Sequence, residues 1–270
     1  MADAQRSLGT EGFDRNEIDL FGVKTVYYEA GHGPTVVYFH GGGAFHGIQF
    51  ARPWTQDFRV ICPYHPGMGE SGDAEKIGSM QQLVLHYLDF FDRLGLGKVH
   101  LAGASMGGRL ATEFAIGHCE RLKSLILAAP AGLEIPEHPP ADFRSIAPDQ
   151  FFAYLTNSMA FLEPFIPPAV PPEMFGAARA REGAAAGKYM TSETSLDFWM
   201  HRINVPSLLV WGDKDRVLPA GRAEAWKKRL PQGAQAHVLK DIGHLTFDES
   251  PEGVRIARDF MLKVEGSPLP

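Results

Sequence analysis

Leu101-Ala-Gly-Ala-Ser-Met-Gly-Gly108 reads LAGASMGG, and it joins two segments of different character. Before it runs the apolar stretch KVHLAG, and after it RLATEFA, which has the spacing of a helix. A plain surface turn has no need of a serine set between glycines at such a joint. From Gly103 to Gly107 the residues follow the G-x-S-x-G pattern of a nucleophile elbow. There the chain turns sharply from strand to helix, and the serine is left in a strained conformation with its hydroxyl exposed. A Cβ at the flanking positions would strike neighbouring backbone, so those positions call for glycine. The helix starts beneath the serine, where its free N–H groups can stabilise a developing anion.

Outward from the elbow, strands and helices alternate. NEIDL (16–20) and VKTVYYE (23–29) are separated by Phe21-Gly22, a hairpin-like break. TVVYF (35–39) is apolar throughout, as a strand buried on both faces should be, and FRVICP (58–63) follows. A helix is expected from Met80 to Leu94, with Val84, Leu85, Leu88 and Phe91 on one face. Next come VHLAG (99–103), a helix over 106–117 and SLILAA (124–129). The pattern ends with SLLVWG (207–212), a helix near 220–230, AHVLK (236–240) and a helix over 251–263. These eight strands and their helices predict an α/β fold with a mostly parallel sheet covered on both faces. Residues 133–200 break the alternation: they are rich in proline and carry Phe151, Phe152, Tyr154, Met159, Phe161 and Phe165. So apolar a stretch is no solvated linker, and we read it as a mostly helical cap inserted into a core formed by 1–132 and 201–270.

A serine hydroxyl attacks only when a base takes its proton, and the usual base is a histidine held by a carboxylate. The sequence offers 11 histidines. With the chain order serine, acid, histidine, each on a loop after a strand, His244 in Asp241-Ile-Gly-His244 follows AHVLK. The carboxylate belongs after SLLVW, where Gly212-Asp-Lys-Asp-Arg-Val-Leu-Pro219 offers both Asp213 and Asp215, and chemistry alone leaves the choice open.

GASMGG, WGDKDRVLP, DIGH and HGGG (40–43), in this order of roles, resemble the α/β-hydrolase superfamily over nearly the whole chain except the insertion. The resemblance implies the α/β-hydrolase fold, and it implies that Asp215 is the catalytic acid, with Asp213 as a turn or capping residue. It also implies that the glycine run supplies half of an oxyanion hole: the N–H of Gly42, or next of Gly43, with the N–H of Met106 as the other half. His40 then has a structural role. Phe45, Arg181 and Leu245 are candidate substrate contacts; Arg179 and Arg181 could each meet a substrate carboxylate or lie on a solvated helix face.

Other patterns carry less. Gly67-Met-Gly-Glu-Ser-Gly72 satisfies G-x-G-x-x-G, but Pro63 and Pro66 stand in its approach and Asp89 falls inside a helix, so a dinucleotide site is not expected. The segment instead resembles the P-G-x-G-x-S loop of the superfamily, with His65 where relatives often have aspartate. There is no Walker A loop, and His46, His65, His138 and His201 have no metal-ligand spacing, so neither a metal nor another cofactor is expected.

With 270 residues, 44% of them hydrophobic and 21% charged, the composition is that of a globular protein with a sizeable core. A net charge of −6 without a basic stripe argues against nucleic acid. Cys62 and Cys119 read as buried free thiols of a reducing compartment. MADAQRSLGTEG lacks the apolar core of a signal peptide and no run is long enough to span a bilayer, so a cytoplasmic protein off the membrane is expected. Its partner is a small-molecule substrate, with a homodimer left open.

The function expected is a serine hydrolase of small, largely apolar esters or lactones. A second reading within the class is a carbon–carbon hydrolase of aromatic ring-cleavage products. That family resembles the chain in its S-M-G-G elbow, but usually has Pro-Gly where Ala44-Phe45 stand and tryptophan where Leu245 stands. From other classes come a ligand receptor on a hydrolase scaffold and a non-catalytic interaction domain, because fold does not fix function.

Overall fold

The computed structural model describes residues 8–73, 75–143, 145–147, 150–191, 196–231 and 233–266. Eight strands form one sheet: β1 (Asp14–Leu20), β2 (Val23–Ala30), β3 (Thr35–Phe39), β4 (Arg59–Pro63), β5 (Val99–Ala104), β6 (Leu122–Ala128), β7 (Ser207–Gly212) and β8 (Gln235–Leu239). Their spatial order is β1-β2-β4-β3-β5-β6-β7-β8. β2 is antiparallel to both β1 and β4, and the remaining pairs are parallel. The hairpin break at Phe21-Gly22 has positive φ at both residues, which turns the chain back within two positions.

The helices are α1 (Met80–Arg93), α2 (Met106–His118), α3 (Phe151–Leu155), α4 (Pro172–Met190), α5 (Leu196–Trp199), α6 (Arg222–Arg229), α7 (Thr246–Glu249) and α8 (Pro251–Val264). Side chains of the central strands alternate between two cores, as the period of 2 requires. Val37, Phe39, Leu101, Leu125, Leu127, Leu209 and Trp211 pack with α1, α2 and α6 on one face. Val36, Tyr38, Ala102, Ile126, Leu208 and Val210 pack with α7, α8 and a 3-10 segment, Gln49–Gln56, on the other. Both faces of the central strands are dry, which is why TVVYF and SLLVW carry no polar alternation.

Two details differ from the sequence reading. In α1 the buried stripe runs through Met80, Leu83, Val84, Tyr87, Phe90 and Phe91, while Leu85 is exposed. The helix is rotated toward its aromatic residues, which bury more area than a leucine. Cys62 is buried but Cys119, at the end of α2, is half-buried. Within 133–200, between β6 and β7, the described residues form the 19-residue α4, the short helices α3 and α5, and turns between them. Pro164, Pro167 and Pro168 withhold amide donors there and stop helices from extending.

Among the described residues no helix is long and apolar enough to cross a membrane, and no group of His, Cys, Asp and Glu could hold a metal ion.

Candidate active site

Ser105 sits between β5 and α2 with φ 52° and ψ −117°, a strained conformation for a residue with a side chain. The surroundings hold it there. Its N–H donates to Ala128 O (3.0 Å), and its own carbonyl accepts from Arg109 N (3.1 Å) and Ala131 N (3.0 Å). A Cβ on Gly107 would stand 2.1 Å from Phe39 O, and one on Gly103 would stand 2.3 Å from Gly107 O. The glycines therefore let α2 start directly against the end of β3.

His244 follows β8 on a loop that turns through Asp241 at φ 59°. Its Nε2 is 2.9 Å from Ser105 Oγ and its Nδ1 is 2.8 Å from Asp215 Oδ2. A carboxylate only accepts, so Nδ1 carries the proton and Nε2 is free to accept from the serine hydroxyl. Asp215 Oδ1 accepts two backbone N–H groups, from Val217 and Leu218, each at 2.8 Å. Asp215 and His244 are both buried, 6% and 5% exposed, so water does not compete for the hydrogen bond between them. Asp213 is used differently: its Oδ1 accepts from Asp241 N (2.7 Å) and its Oδ2 lies 3.4 Å from Lys214 Nζ. It ties the two loops together and does not reach the imidazole. The carboxylate that reaches the imidazole is thus that of Asp215, the one the resemblance implies.

The serine opens into a cavity of about 710 Å³. Gly41, Gly42, Gly43 and Met106 line it, and the glycine loop abuts the serine: a Cβ on Gly41 would stand 3.4 Å from Ser105 Cβ. Phe45 and Leu245, two of the three expected substrate contacts, also line it. The opposite wall comes from residues between β6 and β7, among them Phe143, Phe151, Leu155, Ala186 and Met190.

Arg181 corrects the expectation made for it. Its guanidinium is turned onto the loop after β4, donating to Gly69 O (3.0 Å), Ser71 O (2.5 Å) and Asp73 Oδ1 (2.9 Å). Arg179, two residues earlier on α4, faces the cavity instead. Its guanidinium carbon lies 4.1 Å from the ring centroid of Phe151, 5.5 Å from that of Phe45 and 6.0 Å from that of Phe175. Burial lowers its pKa, opposed by the charge of Glu182.

His46 and Asp248 are cavity residues that sequence reasoning missed. His46 is not a surface histidine; it is buried, and its Nδ1 is 3.2 Å from Oδ1 of the mostly covered Asp248. Burial alone would lower the His46 pKa, but the Asp248 carboxylate outweighs it and holds the imidazole above its ordinary value. No short-range pattern links positions 46 and 248, so the pair leaves no signal in the sequence. Arg222 also lines the cavity, its guanidinium bonded to His138 O and Leu133 O.

His40 and His65 have structural roles. Their rings lie 3.9 Å apart, and His65 N–H donates to His40 Nε2 (3.1 Å). His65 Nε2 donates to His40 O (3.0 Å) and its Nδ1 accepts from Tyr87 OH (2.5 Å). The His65 ring thus pins the end of β3 to α1. Burial pushes its pKa down to about 4, and His40 is also held well below its ordinary value, by burial and by His65.

The sequence model of the alpha/beta hydrolase fold family matches residues 34–251. The chain is similar to a poly(3-hydroxyalkanoate) depolymerase of Ectopseudomonas oleovorans, 27% identical over 249 residues that cover 83% of this chain and 82% of that one. It is also similar to a 2-hydroxy-6-oxo-6-phenylhexa-2,4-dienoate hydrolase of Burkholderia cepacia, 27% identical over 286 aligned positions covering 97% of this chain and 99% of that one. Among solved structures it resembles a membrane phospholipase A described as a bacterial virulence factor. The TM-score is 0.80, with 25% identity over 95% of this chain and 88% of that one.

Proposed function

This chain belongs to the alpha/beta hydrolase fold family, and from that premise we propose that it is a cofactor-independent serine hydrolase of small, largely apolar carboxylic esters or lactones. One observation carries the reading. Ser105, His244 and Asp215 form a hydrogen-bonded chain of 2.9 and 2.8 Å whose serine end opens into the cavity.

In this mechanism Ser105 Oγ attacks the carbonyl carbon while its proton passes to His244 Nε2. The imidazolium is stabilised by Asp215, which two backbone amides hold in orientation. Negative charge develops on the carbonyl oxygen, facing the N–H groups of Gly42 and Met106. Losing one such donor typically costs about 3 kcal/mol of transition-state stabilisation. His244 then protonates the leaving oxygen, the C–O bond breaks, and an acyl group stays on Ser105. Water, deprotonated by His244, releases it as the carboxylic acid. Residues 133–200 act as the cap and 1–132 with 201–270 as the core, a division supported by the cavity wall that the insertion contributes. The free thiols Cys62 and Cys119 support a cytoplasmic location.

A second reading is favoured by Arg179. A half-buried guanidinium among three phenylalanine rings suits a substrate carboxylate, and a vinylogous diketo acid from ring cleavage has one. Its cleavage would break a C–C bond and not a C–O bond. The test compares kcat/KM for p-nitrophenyl butyrate and for such a diketo acid, with Ser105→Ala as control. The ester reading expects the butyrate to be preferred, and the C–C reading expects the diketo acid. Either expects Ser105→Ala to keep its melting temperature and lose turnover by about 10⁴-fold or more. Hydrolysis near the wild-type rate in that variant refutes both.

A further inference from the structure

Glu182 is out of keeping with the helix that carries it. α4 buries three residues, Glu182, Ala185 and Tyr189, which form one stripe at helical spacing. A carboxylate at 5% exposure needs partners, because a buried charge without them is costly. Its partners come from two separate loops of the core. Oε2 accepts from Ala44 N (3.2 Å), just past the glycine run, and Oε1 accepts from Gly69 N (3.2 Å), in the loop after β4.

The glycine run cannot hold itself in place. Gly41, Gly42 and Gly43 have no side chains to pack, so their position depends on what grips the two ends. At the first end His40 does this, donating from Nδ1 to Gly41 O (2.8 Å) while its Nε2 accepts from His65 N. At the other end the grip on Ala44 N is Glu182. α4 backs onto the same loop, since a Cβ on Gly42 would stand 3.5 Å from Ala186 Cβ. The helix is itself anchored to the 66–73 loop. Arg181 holds Gly69 O and Ser71 O, and Tyr189 OH donates to Pro66 O (2.8 Å).

We propose that Glu182 is a positioning residue that couples the cap to the oxyanion hole: its carboxylate pins the glycine loop through Ala44, so the Gly42 amide is in place only when α4 is seated on the core. The inference rests on the serine-hydrolase reading for its catalytic consequence, but not for the pin itself. Substrate that seats the cap would thereby complete the site that turns it over.

The test uses the full chain with Glu182→Ala, Glu182→Gln and, as a control, Tyr189→Phe, which removes one hydrogen bond to the 66–73 loop and leaves the Glu182 and Arg181 anchors that keep α4 seated. Amide hydrogen exchange is read on peptides covering residues 41–48, together with kcat and KM for p-nitrophenyl butyrate. In Glu182→Ala, exchange at 41–48 should quicken about tenfold as the loop opens locally. There kcat should fall about 30-fold with KM within about threefold, the signature of a misplaced oxyanion donor. Glu182→Gln should fall between, because its amide oxygen accepts one N–H while its NH₂ opposes the other. Tyr189→Phe should leave 41–48 protected. Wild-type exchange at 41–48 in folded Glu182→Ala overturns the proposal, and so does an equal kcat loss in Tyr189→Phe. If Glu182→Ala does not fold, exchange in Glu182→Gln decides in the same way. A wild-type chain inert toward the ester would count against the hydrolase reading, and the exchange result would still decide the pin.

Discussion

Replacing Asp215 by asparagine isolates a single proton. The two oxygens of Asp215 do different things: Oδ1 accepts from the amides of Val217 and Leu218, and Oδ2 accepts from His244 Nδ1. An asparagine has one oxygen, and the two backbone donors claim it, since leaving both unpaired would cost about 1–3 kcal/mol each. Its NH₂ is then turned toward His244. Two donors cannot face each other, so the imidazole moves its proton from Nδ1 to Nε2. The nitrogen 2.9 Å from Ser105 Oγ is now a donor and cannot take the serine proton. In serine proteases the same exchange costs about 10⁴ in kcat, or about 5.5 kcal/mol at ~1.36 kcal/mol per decade. The fold should survive, because every backbone donor keeps its acceptor. The assay is kcat for p-nitrophenyl butyrate beside a thermal melt, with Asp213→Asn as the partner variant. Asp213 accepts from Asp241 N through one oxygen, which asparagine retains, so its activity should stay within about threefold on the surface-substitution scale. A Asp215→Asn enzyme above a tenth of the wild-type kcat, or an inactive Asp213→Asn, would refute the argument.

Two further outcomes follow from the packing. Gly107→Ala places a Cβ 2.1 Å from Phe39 O and 2.3 Å from His40 O, both backbone atoms that cannot step aside. Overpacking of this kind costs roughly 1–3 kcal/mol or more, so a drop of about 5–10 °C in melting temperature and near-complete loss of activity are expected; an unchanged melt would count against the elbow packing. Burial lowers the pKa values of His65 and His86 to about 4, against about 6.5 in the unfolded chain. Between those values the unfolded chain takes up protons that the folded chain refuses. Stability contributed by the neutral rings is therefore whole above pH ~6.5 and lost as pH falls toward ~4, by up to roughly 3 kcal/mol per ring. His86 Nε2 is 3.0 Å from Thr25 Oγ1, a contact glutamine can replace without titrating. Urea melts across this range should show a shallower acid slope in His86→Gln than in the wild type, and equal slopes would disprove the assignment.

Much of the site is legible along the chain because it is built from local steric rules. The elbow needs glycine at Gly103 and Gly107 whatever surrounds it, and His244 follows the last strand by a short loop. Residues 133–200 are harder to read. Their prolines divide the helical spacing into the short α3 and α5 and the longer α4, and the face α4 presents cannot be taken from composition. Arg179 and Arg181 illustrate the limit. At about 100° per residue they point to nearly opposite sides of one helix, so only one can face the cavity. Which one depends on how α4 docks, and Glu182 and Tyr189, reaching backbone atoms of the core, take part in that.

From its residues alone the chain specified a sheet buried on both faces, a strained serine between strand and helix, and loops bearing an acid and a histidine. Those follow from backbone sterics and from hydrophobic spacing over a few residues. The resemblance already pointed to Asp215 over Asp213, and the tertiary structure brings its carboxylate to the imidazole. Tertiary structure alone decided that His65 ties β3 to α1, that His46 finds Asp248, and that Glu182 of α4 holds Ala44 beside the glycine run. Each of these joins groups distant along the chain, and their separation in space is set by sheet twist and helix docking, which no local pattern records.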